Sequence, residues 1–204
     1  MSTDAGNRFY TPAQQVWQRR LTISTIAIAI AMLVVDHPLK TTHAPLGIIS
    51  LQLAGTTQAA KQVVYDWDHR DRLLAAFGLG LDYLFLASYS LWMFFGCRWA
   101  AVRWSRSNPR RASQFALLAW GAILAGVLDA AEDVVLLIFL LSDGRSVLYP
   151  LAFWCAVAKF LLILMSVGIW ISGAFAPKEA GATRTAAQQV PPGQPAQPRR
   201  PPGQ

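Results

Sequence analysis

The sequence predicts an all-α integral membrane four-helix bundle with an outer-surface amphipathic helix and a disordered C-terminal tail. Hydrophobic residues make up 54% of the 204 residues and charged residues only 14%, a composition typical of membrane proteins. Four long apolar runs are separated by polar connections, and a helix needs about 20 mostly apolar residues to cross a bilayer. Lys and Arg also concentrate in alternate connections, which is the distribution that sets the orientation of membrane helices.

The predicted transmembrane domain covers 21–175, with helices at about 21–38, 73–99, 114–141 and 150–175. The last three runs easily reach the length of a membrane span. The first is weaker, because its apolar stretch ends at Asp36 and follows Arg19 and Arg20, as the core of a signal peptide does. The best cleavage motif, Thr42-His43-Ala44, lies beyond a proline and two charged residues, so we expect the first helix to be retained.

The positive charges predict that both termini are cytoplasmic in a bacterial inner membrane. Five arginines and no acidic residue occupy 98–111, in the connection between the second and third helices. The connection between the third and fourth helices has only Arg145, opposite Asp143. Cytoplasmic connections carry the excess of Lys and Arg, so the arginine-rich connection lies inside. Residues 1–20 are then a cytoplasmic lead, and the Pro- and Gln-rich residues 176–204 are a disordered cytoplasmic tail.

The net charge of +7 follows largely from this distribution. We expect attraction to anionic headgroups as a by-product, with the lipid bilayer as the partner of the chain. A nucleic acid is not an expected partner, because no basic stripe lies on a folded soluble unit. The sequence leaves open whether the chain forms a homo-oligomer.

The connection after the first helix contains an amphipathic segment at 45–68. Apolar residues recur there at three- and four-residue spacing, which indicates one apolar helix face: Ala59, Ala60, Val63, Val64 and Trp67. Gly55 stops a short preceding piece, and Thr56 or Thr57 caps the helix. We expect the helix to rest on the outer surface of the bundle or on the headgroups, either as a structural lid or as a lid that gates a substrate.

Acidic residues and a histidine follow directly, in the run Asp66-Trp67-Asp68-His69-Arg70-Asp71. Carboxylates and an imidazole this close together suggest a metal site, yet the run lacks the glycine of a calcium loop. Asp68 is also well placed as the N-cap of the second helix, with Asp71 in its first turn. We therefore favour capping over metal binding, and the sequence predicts no metal site and no cofactor.

Two smaller signals concern how the predicted helices begin and pack. The third helix is expected to start after a Ser113 cap, and its small residues at four-residue spacing, such as Gly121 and Ala125, predict close packing at the centre of the bundle. Ser88 and Ser90 in the second helix are expected to bond to backbone carbonyls. The third helix is thus the predicted centre of the bundle.

Three carboxylates lie inside the third apolar run, in the sequence GVLDAAEDVVLL: Asp129, Glu132 and Asp133. Charged groups are costly in hydrocarbon, so these side chains need partners, protons or water. Counting about nine residues from the outer helix ends places Glu132 in one layer with Asp82 of the second helix and Lys159 of the fourth. Asp129 lies one turn deeper. The sequence therefore predicts a buried polar cluster near the middle of the membrane.

Within this cluster we expect Lys159 to pair with Glu132 or Asp82. Tyr89 lies about two turns from Asp82 on the same helix, so it reaches that carboxylate only through an intermediary. Four acids facing one lysine cannot all be ionised in a low-dielectric interior, so at least one holds a proton. The candidate functional site consists of Asp82, Tyr89, Asp129, Glu132, Asp133 and Lys159.

Four pieces of the chain, PLGIISLQLAG, LGLDYLFLASYS, GVLDAAEDVVLL and CAVAKF, resemble a family of small bacterial four-helix inner-membrane proteins. The resemblance runs from Pro45 to Lys159, somewhat over half of the chain. It implies the same fold and carries no function, because no activity is established for that family. Members of the family typically have Glu-Asn where this chain has Glu132-Asp133, a departure that adds a potential charge.

Three functions follow from these features as open alternatives. In the first, which we prefer, the protein is structural or accessory and the cluster fixes the register of the helices. In the second, it is a small proton-coupled transporter or permease for a proton or a small molecule, although no broken helix or internal repeat accompanies the cluster. In the third, it is a membrane-embedded enzyme with Asp82 or Asp129 as the base of paired acids. No HExxH or GxSxG motif is present, and no catalytic residue is assigned.

Overall fold

A computed structural model describes residues 12–177 of the chain. The first part of the predicted cytoplasmic lead, 1–11, and the predicted tail from residue 178 onwards lie outside the described residues. Within 12–177 the chain forms helices and no strand, so the all-α prediction is confirmed. The helices are α1 Pro12–Asp36, a 3-10 helix His37–Leu39, α2 Ile48–Gln52, α3 Thr57–Asp66, α4 His69–Trp104, α5 Pro109–Leu118, α6 Trp120–Leu141 and α7 Tyr149–Ala174.

Three of these helices are long and apolar enough to cross a membrane. The spans are Val16–Leu39, His69–Trp104 and Tyr149–Ala174. They correspond to the first, second and fourth predicted helices, so the prediction of a membrane protein is supported. The remaining long helix, α6, is just as apolar along most of its length but contains the three carboxylates of the candidate site.

The second predicted helix is longer than expected at both ends. It begins at His69 rather than at residue 73 because Asp68 and Asp71 form a capping box. The Asp71 amide donates to Asp68 Oδ1 at 2.8 Å, and the Asp68 amide donates to Asp71 Oδ2 at 3.3 Å. These two bonds satisfy backbone donors that the first turn leaves free, so the prediction of Asp68 as an N-cap is confirmed.

The prediction that the third helix starts after a Ser113 cap was wrong. Ser113 lies inside α5, which begins at Pro109 with Asn108 as its N-cap. The Asn108 side chain accepts from the Arg111 amide at 3.0 Å, and proline at the first helical position leaves no amide that needs a partner. The helix is interrupted at Ala119, and α6 starts at Trp120. One predicted helix is therefore two, with the carboxylates confined to α6.

The connection between α1 and α4 packs into an apolar core with the ends of α4, α6 and α7. The α3 residues Ala60, Val63 and Val64 are buried, as their spacing predicted, and Thr56 accepts a capping bond from the Ala59 amide at 3.1 Å. Two buried hydrogen bonds hold the connection in place. Trp67 Nε1 donates to Leu39 O at 2.9 Å, and the Tyr149 hydroxyl donates to Leu51 O at 2.7 Å. These bonds fix α2 and α3 against the end of the helices that carry the site.

Helices α4, α6 and α7 pack against one another, and α1 packs against α4. Hydroxyl groups join α1 to α4, because Ser24 Oγ and Thr25 Oγ1 each lie 3.0 Å from Ser88 Oγ. The expectation that Ser88 bonds to a backbone carbonyl was therefore wrong: its partners are on another helix. On the other side of α4, a Cβ added at Gly126 of α6 would lie 3.0 Å from Ser90 Cβ, so this glycine permits a close approach of the two helices.

Candidate functional site

The six side chains of the predicted cluster are buried at the place where α4, α6 and α7 meet. Helix α4 contributes Asp82 and Tyr89, α6 contributes Asp129, Glu132 and Asp133, and α7 contributes Lys159. The three acids of α6 share a region of the helix surface because they are three and four residues apart. The sequence thus predicted which side chains lie in the cluster. It did not determine which of them form pairs.

Lys159 is the centre of the ion pairs. Its Nζ lies 2.7 Å from Glu132 Oε2 and forms a second, short ion pair with Asp129 Oδ1. The pairing with Glu132 was one of the two expected; the pairing with Asp82 was wrong, because Asp82 forms no ion pair within 12–177. Asp129 takes that place although it lies one turn deeper. The flexible four-carbon stem of lysine bridges two carboxylates that are one helical turn apart.

Tyr89 is the second partner of Asp129. Its hydroxyl donates to Asp129 Oδ2 at 2.9 Å, so both oxygens of this carboxylate are occupied. The sequence analysis considered Tyr89 only as a partner of Asp82 on the same helix, and it did not predict the bond to Asp129 on α6. Tyr89, Asp129, Lys159 and Glu132 therefore form one continuous chain of polar contacts across three helices.

Asp82 and Asp133 lie outside this chain. Asp133 is 1% exposed, and neither of its carboxylate oxygens has a hydrogen-bond partner in the described part of the protein. Asp82 is also buried and accepts no hydrogen bond within 12–177. A buried polar group without a partner costs about 1–3 kcal/mol, and more when it is charged. Two such groups side by side lower the stability of the protein, which is not expected of a cluster with a purely structural role.

Four carboxyl groups and one ammonium group share this site. The ion pairs neutralise Lys159 with one carboxylate and leave three carboxyl groups without a balancing cation among the residues described. Like charges this close together in a low-dielectric interior repel strongly. The site is therefore electrostatically suited to protons or to another positively charged species.

A metal ion is one such species, and three carboxylates are close enough to approach one. Single oxygens of Asp82, Asp129 and Asp133 lie within 4.8 Å of one another. Asp129 already uses one oxygen for Lys159 and the other for Tyr89. Among these three residues Asp82 and Asp133 then have free oxygens, and Glu132 beside them leaves Oε1 without a partner. Hard divalent cations take six or more oxygen ligands.

A cavity of about 300 Å³ leads to the cluster. Asp82, Tyr89, Asp129 and Lys159 form its polar end. Its walls are otherwise largely apolar and come from four helices: Ala29, Met32 and Leu33 of α1, Ile48 and Ile49 of α2, Ala75, Gly78, Leu79 and Phe85 of α4, and Phe160 and Ile163 of α7. Leu33 is 68% exposed, so the cavity reaches the surface of the protein beside α1.

A second polar end of the cavity lies where α1 ends. Asp36 and Gln52 line it there, and Asp36 Oδ1 accepts from the Ile48 amide at 2.7 Å. Gly47 has a φ of 60°, and a side chain at this position would collide with the Asp36 carboxylate. The carboxylate of Asp36 is thereby fixed against the start of α2, so it faces the cavity without joining the deeper cluster.

The residues of α1 and α2 that line the cavity were not predicted as part of the site. Their side chains are apolar or small, and an apolar stripe on a membrane helix looks the same whether it faces lipid or a cavity. The small residues Ala29, Ala75 and Gly78 are the only sequence signal, because they leave space between facing helices.

Comparison with known proteins gives no family. No protein-family model, no curated protein and no solved structure matches the chain. The resemblance of its four sequence pieces to small bacterial membrane proteins remains an expectation. The function has to be argued from the site.

Proposed function

We propose that the chain is a multi-pass protein of a bacterial inner membrane in which α1, α4, α6 and α7 form a four-helix bundle. The 22 residues of α6 cover about 33 Å at 1.5 Å per residue, enough for the hydrocarbon core. Its carboxylates face the other helices, while exposed apolar side chains such as Leu124, Val127 and Val134 are suited to lipid. The arginine-rich connection that contains α5 supports a cytoplasmic position for both termini.

In this arrangement α2 and α3 lie on the outer side of the membrane. They pack beside the start of α7, at the end of the bundle opposite the arginine-rich connection. The hydrogen bonds of Trp67 and Tyr149 make this part of the chain a fixed cover for the helix ends. Asp36 and Gln52 then lie at the outer end of the cavity.

The function that the geometry supports best is that of a small proton-coupled transporter or permease. One observation carries this proposal: Asp82 and Asp133 are buried carboxyl groups without partners, next to a cavity that ends at Asp82. A network that only fixes helix register gains nothing from two unpaired acids, since half-satisfied buried networks lose stability. Acids that bind and release protons or a cation need to be unpaired.

Other ionisable groups facing these two acids bear on any coupling to protons. They are Tyr83 and Tyr89 of α4, Asp129 and Glu132 of α6 and Lys159 of α7, with Asp36 at the far end of the cavity. Lys159 forms ion pairs with Asp129 and Glu132, whereas Asp82 and Asp133 have no ion pair within 12–177. We therefore assign proton exchange to Asp82 and Asp133.

A structural or accessory role is the second candidate, and the complete pairing of Lys159 favours it. Lys159, Asp129, Glu132 and Tyr89 alone join three helices, as a register-fixing network does. The enzyme alternative has less support. Both oxygens of Asp129 are engaged, and Asp36 at the far end of the cavity accepts from the Ile48 amide. Among the described residues that line the cavity, Asp82 is then the one carboxyl group with no partner.

Proton flux in liposomes tests the proposal. Vesicles with the reconstituted protein are loaded with a small-molecule extract of the host cells, diluted into buffer, and followed with an internal pH dye under a clamped membrane potential. We expect a pH change that depends on the extract, is lost in Asp82→Asn, and persists in the matched surface variant Asp143→Asn. If wild-type vesicles behave like protein-free vesicles, the transport proposal fails and the structural role is preferred.

A further inference from the structure

We infer that the cavity binds a monovalent organic cation with an apolar body, with its positive head at Asp82 and its body between α1, α4 and α7. This inference rests on the proposed function and names the class of substrate. It follows from two features that occur together at one place: an excess of carboxyl groups at the end of the cavity, and apolar walls along its length.

The excess of carboxyl groups specifies the charge of the ligand head. Asp82 lines the cavity and has no partner in the part of the chain that is described, and Asp133 lies behind it with both oxygens unpaired. Oxygens of these two acids and of Asp129 lie within 4.8 Å of one another. Lys159 does not cancel this charge, because Asp129 and Glu132 already hold it. A positive group next to Asp82 would replace a missing partner.

The walls specify the body of the ligand. Apolar side chains surround the space between the cluster and the surface, among them Leu33, Leu79 and Ile163. The ring of Phe85 also lines it, and aromatic faces attract organic cations. The Phe160 ring lines it too, but Lys159 Nζ already lies 5.2 Å from the centroid of that ring. A volume of about 300 Å³ is at the lower end of the range for small-molecule sites. The occupant is therefore a compact ligand rather than a lipid.

A metal ion would also be attracted by the excess of carboxyl groups, but the apolar walls of the cavity offer it few ligands. It would find two carboxylates with free oxygens, Asp82 and Asp133, in a space that is otherwise mostly apolar. An ammonium group needs no coordination shell and carries apolar substituents that the walls can bury. An anionic amphiphile is disfavoured, because Lys159, the one cation that the described residues place at the end of the cavity, is already paired with two carboxylates.

Binding of benzyltrimethylammonium to the full chain in lipid nanodiscs tests this inference. Its neutral isostere, neopentylbenzene, has the same shape without the charge and serves as a competitor. Equilibrium dialysis against empty nanodiscs measures the bound cation and corrects for partition into lipid. We expect saturable binding at one site per chain, and little displacement by the neutral isostere.

Two variants separate the head from the body of the site. Asp82→Asn keeps the size of the side chain and removes its charge, and we expect the affinity to fall about tenfold or more. Ala29→Phe keeps every charge but fills the cavity from α1, and we expect it to abolish binding. The matched controls are Asp143→Asn on the surface and Ala31→Phe on the exposed side of α1, and both are expected to bind like the wild type.

Equal affinity in the wild type and in Asp82→Asn overturns the inference, and so does equal competition by neopentylbenzene. Stoichiometric binding of Mn²⁺ that is lost in Asp133→Asn, without binding of benzyltrimethylammonium, overturns it in favour of a metal site. Proton flux without binding of the cation supports the transport proposal and contradicts the inference that the substrate is an organic cation. Binding without proton flux supports the cavity site and contradicts the transport proposal.

Discussion

The Tyr89 hydroxyl donates a 2.9 Å hydrogen bond to Asp129 Oδ2, the oxygen of that carboxylate that Lys159 does not contact. The two residues lie on different helices, and both are buried. Through this bond α4 is joined to the Lys159 ion pairs, while its own acid, Asp82, remains unpaired.

Replacement of Tyr89 by Phe tests how much this bond contributes. We expect Tyr89→Phe to lower the free energy of unfolding by about 1–3 kcal/mol, because a buried carboxylate oxygen loses its donor. Denaturant titration in mixed micelles measures the effect. Tyr83→Phe is the matched control: the Tyr83 hydroxyl donates to Ala130 O at 3.1 Å from an exposed position, so its loss is expected to cost less. Equal costs for the two variants would contradict the role given to the Asp129 bond.

Loss of the ammonium group is expected to be the most damaging single change in the cluster. Lys159→Met leaves Asp129 and Glu132 buried without a cation, and removal of one partner of a buried ion pair costs about 3–5 kcal/mol. Adding Glu132→Gln removes one of the uncompensated acids, so the double variant is expected to regain part of the loss. A double-mutant cycle on the unfolding free energy measures the coupling. Strictly additive effects would show that the two residues do not interact.

Removal of the charge at Asp133 is expected to stabilise the protein. Its carboxylate has no partner in 12–177, so Asp133→Asn relieves repulsion from the neighbouring acids at no cost in ion pairs. We expect a gain of about 1 kcal/mol or more in unfolding free energy. Asp143→Asn weakens an exposed ion pair with Arg72, and we expect it to lower stability by no more than about 1 kcal/mol. A destabilised Asp133→Asn variant would show that Asp133 has a partner.

Two glycines of α7 differ in how much space surrounds them. A Cβ at Gly173 would lie 2.8 Å from Ala100 Cβ and 2.9 Å from Ala100 Cα of α4, whereas nothing lies within 4 Å of a Cβ at Gly168. We expect Gly173→Ala to cost about 1–3 kcal/mol by overpacking, and Gly168→Ala to gain about 0.5–1 kcal/mol through helix propensity. Thermal unfolding of the two variants checks the opposite signs. Equal shifts would mean that α4 and α7 are not in close contact at Gly173.

The tether between Asp66 and the 41–44 segment is expected to weaken in acid. A side-chain hydrogen bond from His43 chiefly lowers the pKa of Asp66 below its ordinary value of 3.8, and bonds from the Thr41 hydroxyl and the His43 amide act in the same direction. Because the folded-state pKa is the lower one, the stabilisation is complete above the ordinary pKa and is lost as the pH falls through the folded value.

The Ala44 amide donates to Thr41 Oγ1 at 3.2 Å, and that hydroxyl donates to Asp66 Oδ2 at 3.0 Å. Hydrogen exchange of the Ala44 amide, corrected for intrinsic rates, therefore follows this tether. We expect its protection to fall as the pH drops below 3.8, and Asp66→Asn to lower the protection already at neutral pH. Asp71→Asn, which alters a different bond of the same connection, serves as the control. Protection that persists in acid in the wild type would rule out the Asp66 tether as its source.

Much of this architecture follows from local rules that act within one helix. Apolar length predicted the helices that can cross a membrane, and Asp68 was predicted as the N-cap of α4 with Asp71 in its first turn. The same rules failed at Ser113. A serine is a common N-cap, but it also occurs inside helices, and the residue type alone does not distinguish the two positions. Asn108 followed by Pro109 was the stronger signal.

The partners within the site depend on helix rotation, which a single sequence does not encode. Depth along the helices placed Asp82, Glu132 and Lys159 in one layer, and this brought the right residues together. The rotation of each helix about its own axis (its azimuth) determines that Lys159 reaches Asp129 and that the Tyr89 hydroxyl points to α6. The azimuth results from packing of all four helices at once, so the pairs could not be read from spacing.

Helix α1 is the least buried wall of the cavity. Of its residues 16–36, only Thr25 is buried. Its side-chain bonds to α4 are the hydroxyl contacts of Ser24 and Thr25 with Ser88 and a long hydrogen bond from Gln18 Nε2 to Trp92 O at 3.5 Å. Hydroxyl pairs exchange donor and acceptor roles freely, and they are satisfied over a range of helix positions. A ligand larger than the cavity would therefore be accommodated by displacement of α1, while the densely packed α4, α6 and α7 keep their positions. The range of molecules that the site accepts is then set by how far one helix can move aside, and not by the shape of the charged cluster.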